Sequence, residues 1–161
     1  IFLNTCIGCH TGMDPLAQAF AYYDFSYDAQ LDEFGDQGQL VYTPRQVQKK
    51  YHFNNANFAP GFITEDDKWD NYWRQGQNYL LGWSSSLTGS GNGAKSMGQE
   101  LSHSDAFAQC QVEKVFKQVC LRDAKNQADS SQVLSIKASF IADNFNMKTV
   151  FSETALYCSG D

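Results

Sequence analysis

The residues best suited to chemistry lie near the start of the chain, in the stretch Cys6-Ile7-Gly8-Cys9-His10. Two cysteines at this spacing can form a redox dithiol, supply half of a zinc site or attach a haem. A redox dithiol of the thioredoxin type lies next to a βαβ unit, but no parallel-strand pattern follows here. A closed zinc site usually takes its other ligands from a second CxxC or an HxxxH pair, and the remaining cysteines are scattered.

The histidine that follows the second cysteine favours haem attachment. In a CxxCH motif the two thiols add to the two vinyl groups of the haem, and the adjacent imidazole binds the iron from one face. Because no competing ligand set accompanies the motif, the sequence predicts one covalently bound haem c. Cys6 and Cys9 would form its thioether links, and His10 would be its proximal iron ligand.

The sixth coordination position of the iron decides between electron transfer and catalysis. A second strong ligand gives an iron that shuttles electrons, whereas an open position binds small ligands or reacts with peroxide. Met147 is the preferred distal ligand because it starts the last predicted helix directly after a loop. Met97 is the second choice because it follows a glycine-rich loop. For both, the ordinary alternative is a methionine that fills the core.

Two histidines are weaker candidates for the sixth position, and Met13 is excluded as a ligand. Met13 lies on the proximal side, three residues after His10, and is interpreted as a packing residue. His103 lies between two serines at a predicted helix start, where a solvated or capping role is expected. His52 follows two lysines and a tyrosine and is expected at the surface or the haem edge. A histidine ligand or a vacant site therefore remains the third alternative.

Composition limits the classes of partner. The 161 residues include 12 Lys and Arg against 18 Asp and Glu, for a net charge of -6. An acidic surface argues against nucleic acid and anionic membranes, which both need basic patches. No apolar run reaches the roughly 18 to 20 residues of a membrane span. The length fits one monomeric domain over residues 1–161. Because the chain begins at Ile1, we expect it to come from a longer protein.

The apolar pattern predicts a mainly α fold with long irregular connections, in which a porphyrin replaces side-chain volume in the core. A first helix carries the motif and breaks at Asp14-Pro15, where an aspartate cap and a first-turn proline begin a second helix. A helix over residues 64–75 would put Trp69 and Trp73 on one face. Two further segments are expected, one extended at residues 40–42 and one helical at residues 44–51.

The last third of the chain is predicted to hold three helices. Ser102 or Ser104 caps the first, which ends near Leu121 and carries an apolar stripe. The second covers residues 131–142, and the third starts near Met147. The stripe on the first helix consists of Ala108, Val112, Val115, Phe116 and Val119.

Three cysteines lie outside the motif. Haem attachment implies an oxidising compartment, where paired cysteines usually bridge. Cys110 and Cys120 share one predicted helix at a separation of about 15 Å, which is too far for a disulfide. If the last three helices run up, down and up, Cys120 and Cys158 close parallel helices at the same end. The sequence therefore predicts a Cys120–Cys158 disulfide with Cys110 as a buried thiol, the alternative being three reduced cysteines.

Two stretches resemble a family of bacterial monohaem cytochrome c domains. CIGCHTGMDPLAQAFAYYDF is similar to the CxxCHxxxDPLxxAxxxxD pattern that opens these domains. GNGAKSMGQELSHSDAFAQCQVEKVFKQVCLR is similar to their GxxxLGxxLxxSxxFxxC segment. Such domains occur in large secreted or surface proteins, and some are appended to carbohydrate-binding modules. The resemblance implies a cytochrome c-like helical fold, a periplasmic or extracellular location and a redox partner such as a lytic polysaccharide monooxygenase.

The sequence thus predicts an electron-transfer domain and no catalytic residues. The first alternative is a five-coordinate haem domain that binds a small ligand or reduces peroxide. A weaker alternative is a structural haem domain that spaces other modules.

Overall fold

The computed structural model describes residues 2–51 and 64–160. Within these ranges the chain is mainly helical, with two short two-stranded sheets, which confirms the predicted mainly α class. It divides into two compact units, and the single domain over residues 1–161 stays a prediction. The motif unit comprises Ile1–Gln77 and Ser86–Gln99, and the helical unit comprises Asn78–Ser85 and Glu100–Asp161.

The cysteine motif lies in a continuous run of helical turns. The predicted break at Asp14-Pro15 is wrong, because the helix continues through the proline to Ala17. An interior proline costs one backbone hydrogen bond, and the burial of Pro15 and Leu16 offsets that cost. The run consists of a π-helical turn Phe2–Cys6, α1 (Ile7–Ala17) and a 3-10 turn Gln18–Phe20.

A β-hairpin follows these turns. β1 (Tyr23–Ser26) pairs antiparallel with β2 (Gln39–Tyr42), with Tyr23 opposite Tyr42. The extended segment predicted at residues 40–42 is thereby confirmed. The helix predicted at residues 44–51 is wrong over most of its length, because the chain turns at residues 44–45 and only residues 49–51 are helical.

The segment after residue 64 forms strands and 3-10 turns, so the predicted helix over residues 64–75 is wrong. The strand β3 (Lys68–Asp70) pairs antiparallel with β4 (Ser90–Asn92). Trp69 is 2% exposed in the middle of β3, and its Nε1 donates a hydrogen bond to Ser96 Oγ at 2.8 Å. Burying this indole through a strand outweighs the local helix signal. Two 3-10 segments follow β3, Tyr72–Arg74 and Gly76–Leu81.

Side-chain caps set where two helices in the last third of the chain begin. Ser104 caps the helix Asp105–Cys120, because its Oγ accepts a hydrogen bond from the Phe107 N–H at 3.3 Å. Asn126 caps the helix Gln127–Ala142 in the same way, so this helix begins four residues earlier than the predicted residue 131. Met147 is the first residue of the last helix, as predicted. The helices are α2 (Gly93–Ser102), α3 (Asp105–Cys120), α4 (Gln127–Ala142) and α5 (Met147–Cys158).

The core of the helical unit forms where α3, α4 and α5 meet. The predicted stripe on α3 is confirmed: four of its five residues are buried, and Val119 is partly buried against them. Aromatic and aliphatic side chains of α4 and α5 complete the cluster. Its buried members are Ala108, Val112, Val115, Phe116, Val133, Ile136, Phe140 and Val150.

Two cysteines join the ends of α3 and α5. Cys120 and Cys158 are the last residues of these helices and lie at disulfide distance, with their Cα atoms 5.4 Å apart. The two helices therefore end side by side. Cys110 is a free thiol and is exposed, so the prediction that it is buried is wrong. It lies two residues beyond the buried Ala108, about 200° around the helix, and so faces away from the stripe.

A buried carboxylate forms several hydrogen bonds close to this cysteine pair. Asp129 is 1% exposed and accepts hydrogen bonds from Arg122 Nη1, from Asn126 Nδ2 at 2.9 Å and from the Tyr157 hydroxyl at 2.9 Å. The hydrogen bond from Arg122 is the largest cause that lowers the pKa of Asp129. These contacts connect the start of α4, the loop before it and the end of α5.

We expect the Cys120Ser/Cys158Ser double variant to unfold more easily than the wild type. The two cysteines are 38 residues apart, and closing a loop of this length contributes about 3 to 4 kcal/mol in the chain-entropy model. Urea denaturation without reductant measures the free energy of unfolding. Cys110→Ser is the control, because this exposed thiol is not bridged and its loss should leave stability unchanged. Equal stability of the double variant and the wild type would contradict the bridge.

We expect Asp129 to make stability depend on pH. Because its folded pKa is lowered, its stabilising effect is complete above the unfolded pKa of about 4 and is lost as the pH falls through the folded pKa. Asp129→Asn should lower stability at pH 7 and flatten its loss on acidification, as measured by urea denaturation at a series of pH values. Asp123→Asn is the comparison. The hydrogen bond from Lys117 lowers the pKa of Asp123 as well, but its pairs with Lys117 and Lys125 are exposed, so its effect on the acid profile should be smaller. An unchanged acid profile in Asp129→Asn would contradict this role.

Candidate functional site

The three motif side chains share one side of the first helical turns. Cys6 ends the π-helical turn, and Cys9 and His10 lie in the first turn of α1. Positions i, i+3 and i+4 are neighbours on a helix surface, so the spacing of CxxCH brings both thiols and the imidazole to one face. Cys9 is exposed and Cys6 is half-buried, and neither cysteine is in a disulfide.

The side of α1 opposite His10 is buried. Its buried residues are Gly12, Pro15 and Leu16, which at about 100° per residue lie roughly 140° to 240° around the helix from His10. Cys9 lies at the edge of this side, about 20° from Leu16. A side chain at Gly12 would overlap the indole ring of Trp73. The missing side chain therefore lets α1 approach the 3-10 turn that carries Trp73.

The motif presents two thiols and one imidazole. The two accessible thiols and the neighbouring imidazole fit a flat group attached to both sulfurs. The donor set has the chemistry that covalent haem attachment requires.

Asp14 is a member of this site that sequence reasoning missed. Its Oδ1 lies 2.9 Å from Nδ1 of His10, four residues earlier on α1. The sequence had suggested a cap for a new helix at this position, and the continuous helix brings the carboxylate to the histidine instead. The His-x-x-x-Asp spacing within a helix was the available signal.

The remaining candidate ligands lie in different parts of the chain. Met97 belongs to the motif unit and is 8% exposed on α2. Met147 belongs to the helical unit, where its half-buried side chain packs against the core of that unit. The choice between these methionines as distal ligand stays a prediction. Met13 is 40% exposed, contrary to its interpretation as a packing residue.

Of the two other histidines, only His103 lies within the described residues. His103 is half-buried, with Nδ1 3.1 Å from Ser102 Oγ and its ring centroid 4.3 Å from that of Phe145. Ser104, and not His103, is the helix cap. His52 lies outside the described residues.

The local geometry of the motif is the basis for a functional proposal. Within residues 2–51 and 64–160, no group of three or more His, Cys, Asp or Glu side chains could hold a metal ion. No helix of these ranges is long and apolar enough to cross a membrane. No protein-family model matches the chain, and comparisons with curated proteins and with solved structures give no match.

Proposed function

We propose that the chain is a monohaem c-type cytochrome domain with a cytochrome c-like fold that passes single electrons. The observation that carries this proposal is the CxxCH motif on the outward face of α1, with both thiols outside any disulfide. Cys6 and Cys9 would hold the haem, and His10 would be the proximal ligand. When bound, the haem supplies an iron that accepts and releases one electron.

The state of the other cysteines supports this proposal. Cys120 and Cys158 lie at disulfide distance, and disulfides persist in oxidising compartments such as the periplasm or the cell exterior. Covalent haem attachment is expected in the same compartments. We therefore propose a periplasmic or extracellular location.

The small core of the motif unit also supports a bound apolar group. Among the described residues of this unit, the buried hydrophobic side chains are Leu16, Ala19, Ala21, Trp69 and Met97. Several large apolar side chains of the same unit are exposed, including Ile7, Met13, Phe20 and Tyr72. A porphyrin has the flat apolar faces that such side chains can cover.

The partner is proposed to be another redox protein. The acidic chain, with a net charge of -6, favours a neutral or basic partner through electrostatic steering. A lytic polysaccharide monooxygenase is one such acceptor, on the resemblance of the motif segments alone. We propose Met147 as the distal ligand, with Met97 as the second choice. If neither methionine binds the iron, the alternative is a five-coordinate haem that binds small ligands or reduces peroxide.

Expression with haem-ligation machinery should give a chain whose intact mass exceeds that of the polypeptide by one haem. The colour should stay with the protein after acid-acetone extraction, because thioether bonds survive this treatment. Cys6→Ser and Cys9→Ser should each lose one thioether link, and the double variant should lose both. Cys110→Ser is the matched control and should keep the full haem mass, since this thiol lies outside the motif. Extraction of all colour from the wild type would overturn the proposed function.

Met147→Ala should abolish the weak band near the red end of the oxidised spectrum, which marks a methionine–iron bond, and should let carbon monoxide bind the reduced iron. Met97→Ala should keep that band and lower the free energy of unfolding by about 2 to 5 kcal/mol, the usual cost of truncating a buried methionine. The reverse pattern would transfer the ligand role to Met97. Carbon monoxide binding by the reduced wild type would favour the five-coordinate alternative.

A further inference from the structure

The contact between His10 and Asp14 bears on the reduction potential of a haem iron bound at the motif. We propose that Asp14 is a positioning residue, which fixes the tautomer of His10 and strengthens its donation to the iron. This inference rests on the proposed function, because it gives Asp14 a role toward a haem held by the motif.

The geometry depends on the unbroken helix. The Nδ1 atom of His10 and Oδ1 of Asp14 are 2.9 Å apart, and the two side chains are 42% and 25% exposed. They are four residues apart, so they stay on one row of α1 only while the helix continues between them. The helix extends beyond Asp14 to Ala17, which keeps the carboxylate on the motif side.

The contact selects one imidazole nitrogen for the iron. An ionised carboxylate only accepts hydrogen bonds, so Nδ1 of His10 donates its proton to Asp14. In a neutral imidazole with the proton on Nδ1, the lone pair is on Nε2. The geometry therefore assigns Nε2 as the ligating atom.

The contact also affects the stability of the two iron oxidation states. A hydrogen bond from a ligand imidazole to a carboxylate increases the basicity of the ligating nitrogen. Stronger donation and the negative charge of the carboxylate both stabilise Fe(III) relative to Fe(II). We therefore expect Asp14 to lower the reduction potential, in the opposite direction to a methionine ligand, which raises it.

A merely structural ion pair would behave differently. A partly exposed i, i+4 pair with a purely structural role would contribute little to stability, and removing it would leave the iron unaffected. The reduction potential and the electron paramagnetic resonance spectrum of the oxidised iron therefore separate the two roles.

The test compares haem-loaded wild type with Asp14→Asn, Asp14→Ala and Asp14→Glu. The asparagine keeps a neutral acceptor at the same place, so we expect a raised potential and changed resonance positions. The alanine removes both the bond and the charge, so its potential should rise further. The glutamate restores a carboxylate and should lie closer to the wild type than the alanine does. Asp24→Asn is the matched control, because this carboxylate of the same unit pairs with Lys50 at 3.5 Å and its loss should leave the potential near that of the wild type.

The outcomes separate a failure of this inference from a failure of the proposed function on which it rests. Covalent haem in Asp14→Asn with an unchanged potential and spectrum would overturn the role of Asp14 and leave the proposed function intact. An equal shift in Asp24→Asn would also overturn it, because net charge alone would then explain the effect. A wild-type chain without covalent haem would overturn both.

Discussion

The chemistry of this chain depends on α1 being buried on one side only. Gly12, Pro15 and Leu16 form the buried side, and the overlap of any Gly12 side chain with Trp73 shows how closely the helix approaches its neighbour. That burial fixes the rotation of the helix about its axis. The CxxCH face is then directed outward, where two thiols and an imidazole can hold one group. A helix that rotated by one residue would bury part of this set.

The helical unit stabilises its own end of the chain by different means. An apolar cluster joins α3, α4 and α5, while the Cys120–Cys158 pair and the hydrogen bonds to Asp129 join their ends. These polar and covalent contacts lie at the C-terminal end of the apolar stripe on α3. Cys110 lies in the middle of α3, away from the end where Cys120 and Cys158 meet.

The parts of the fold that local signals control could be predicted from the sequence. The stripe on α3 and the start of α5 follow from helical periodicity and capping, which depend on residues within a few positions of each other. The segment around Trp69 could not be predicted in this way, because its strand depends on pairing with Gly91 and on a hydrogen bond to Ser96. The link between His10 and Asp14 was missed for a related reason. Pro15 signals a helix boundary locally, and only burial by distant residues allows the helix to continue.

The pyridine haemochrome spectrum of the purified chain tests the central claim most directly. Pyridine replaces the protein ligands of the iron, so the position of the reduced α band reports only how many vinyl groups of the porphyrin remain. Attachment through both Cys6 and Cys9 predicts the band position of a haem with two thioether links. A band at the position of a haem with both vinyl groups intact, or no haem in the purified chain, would contradict the assignment of this motif as a c-type haem site.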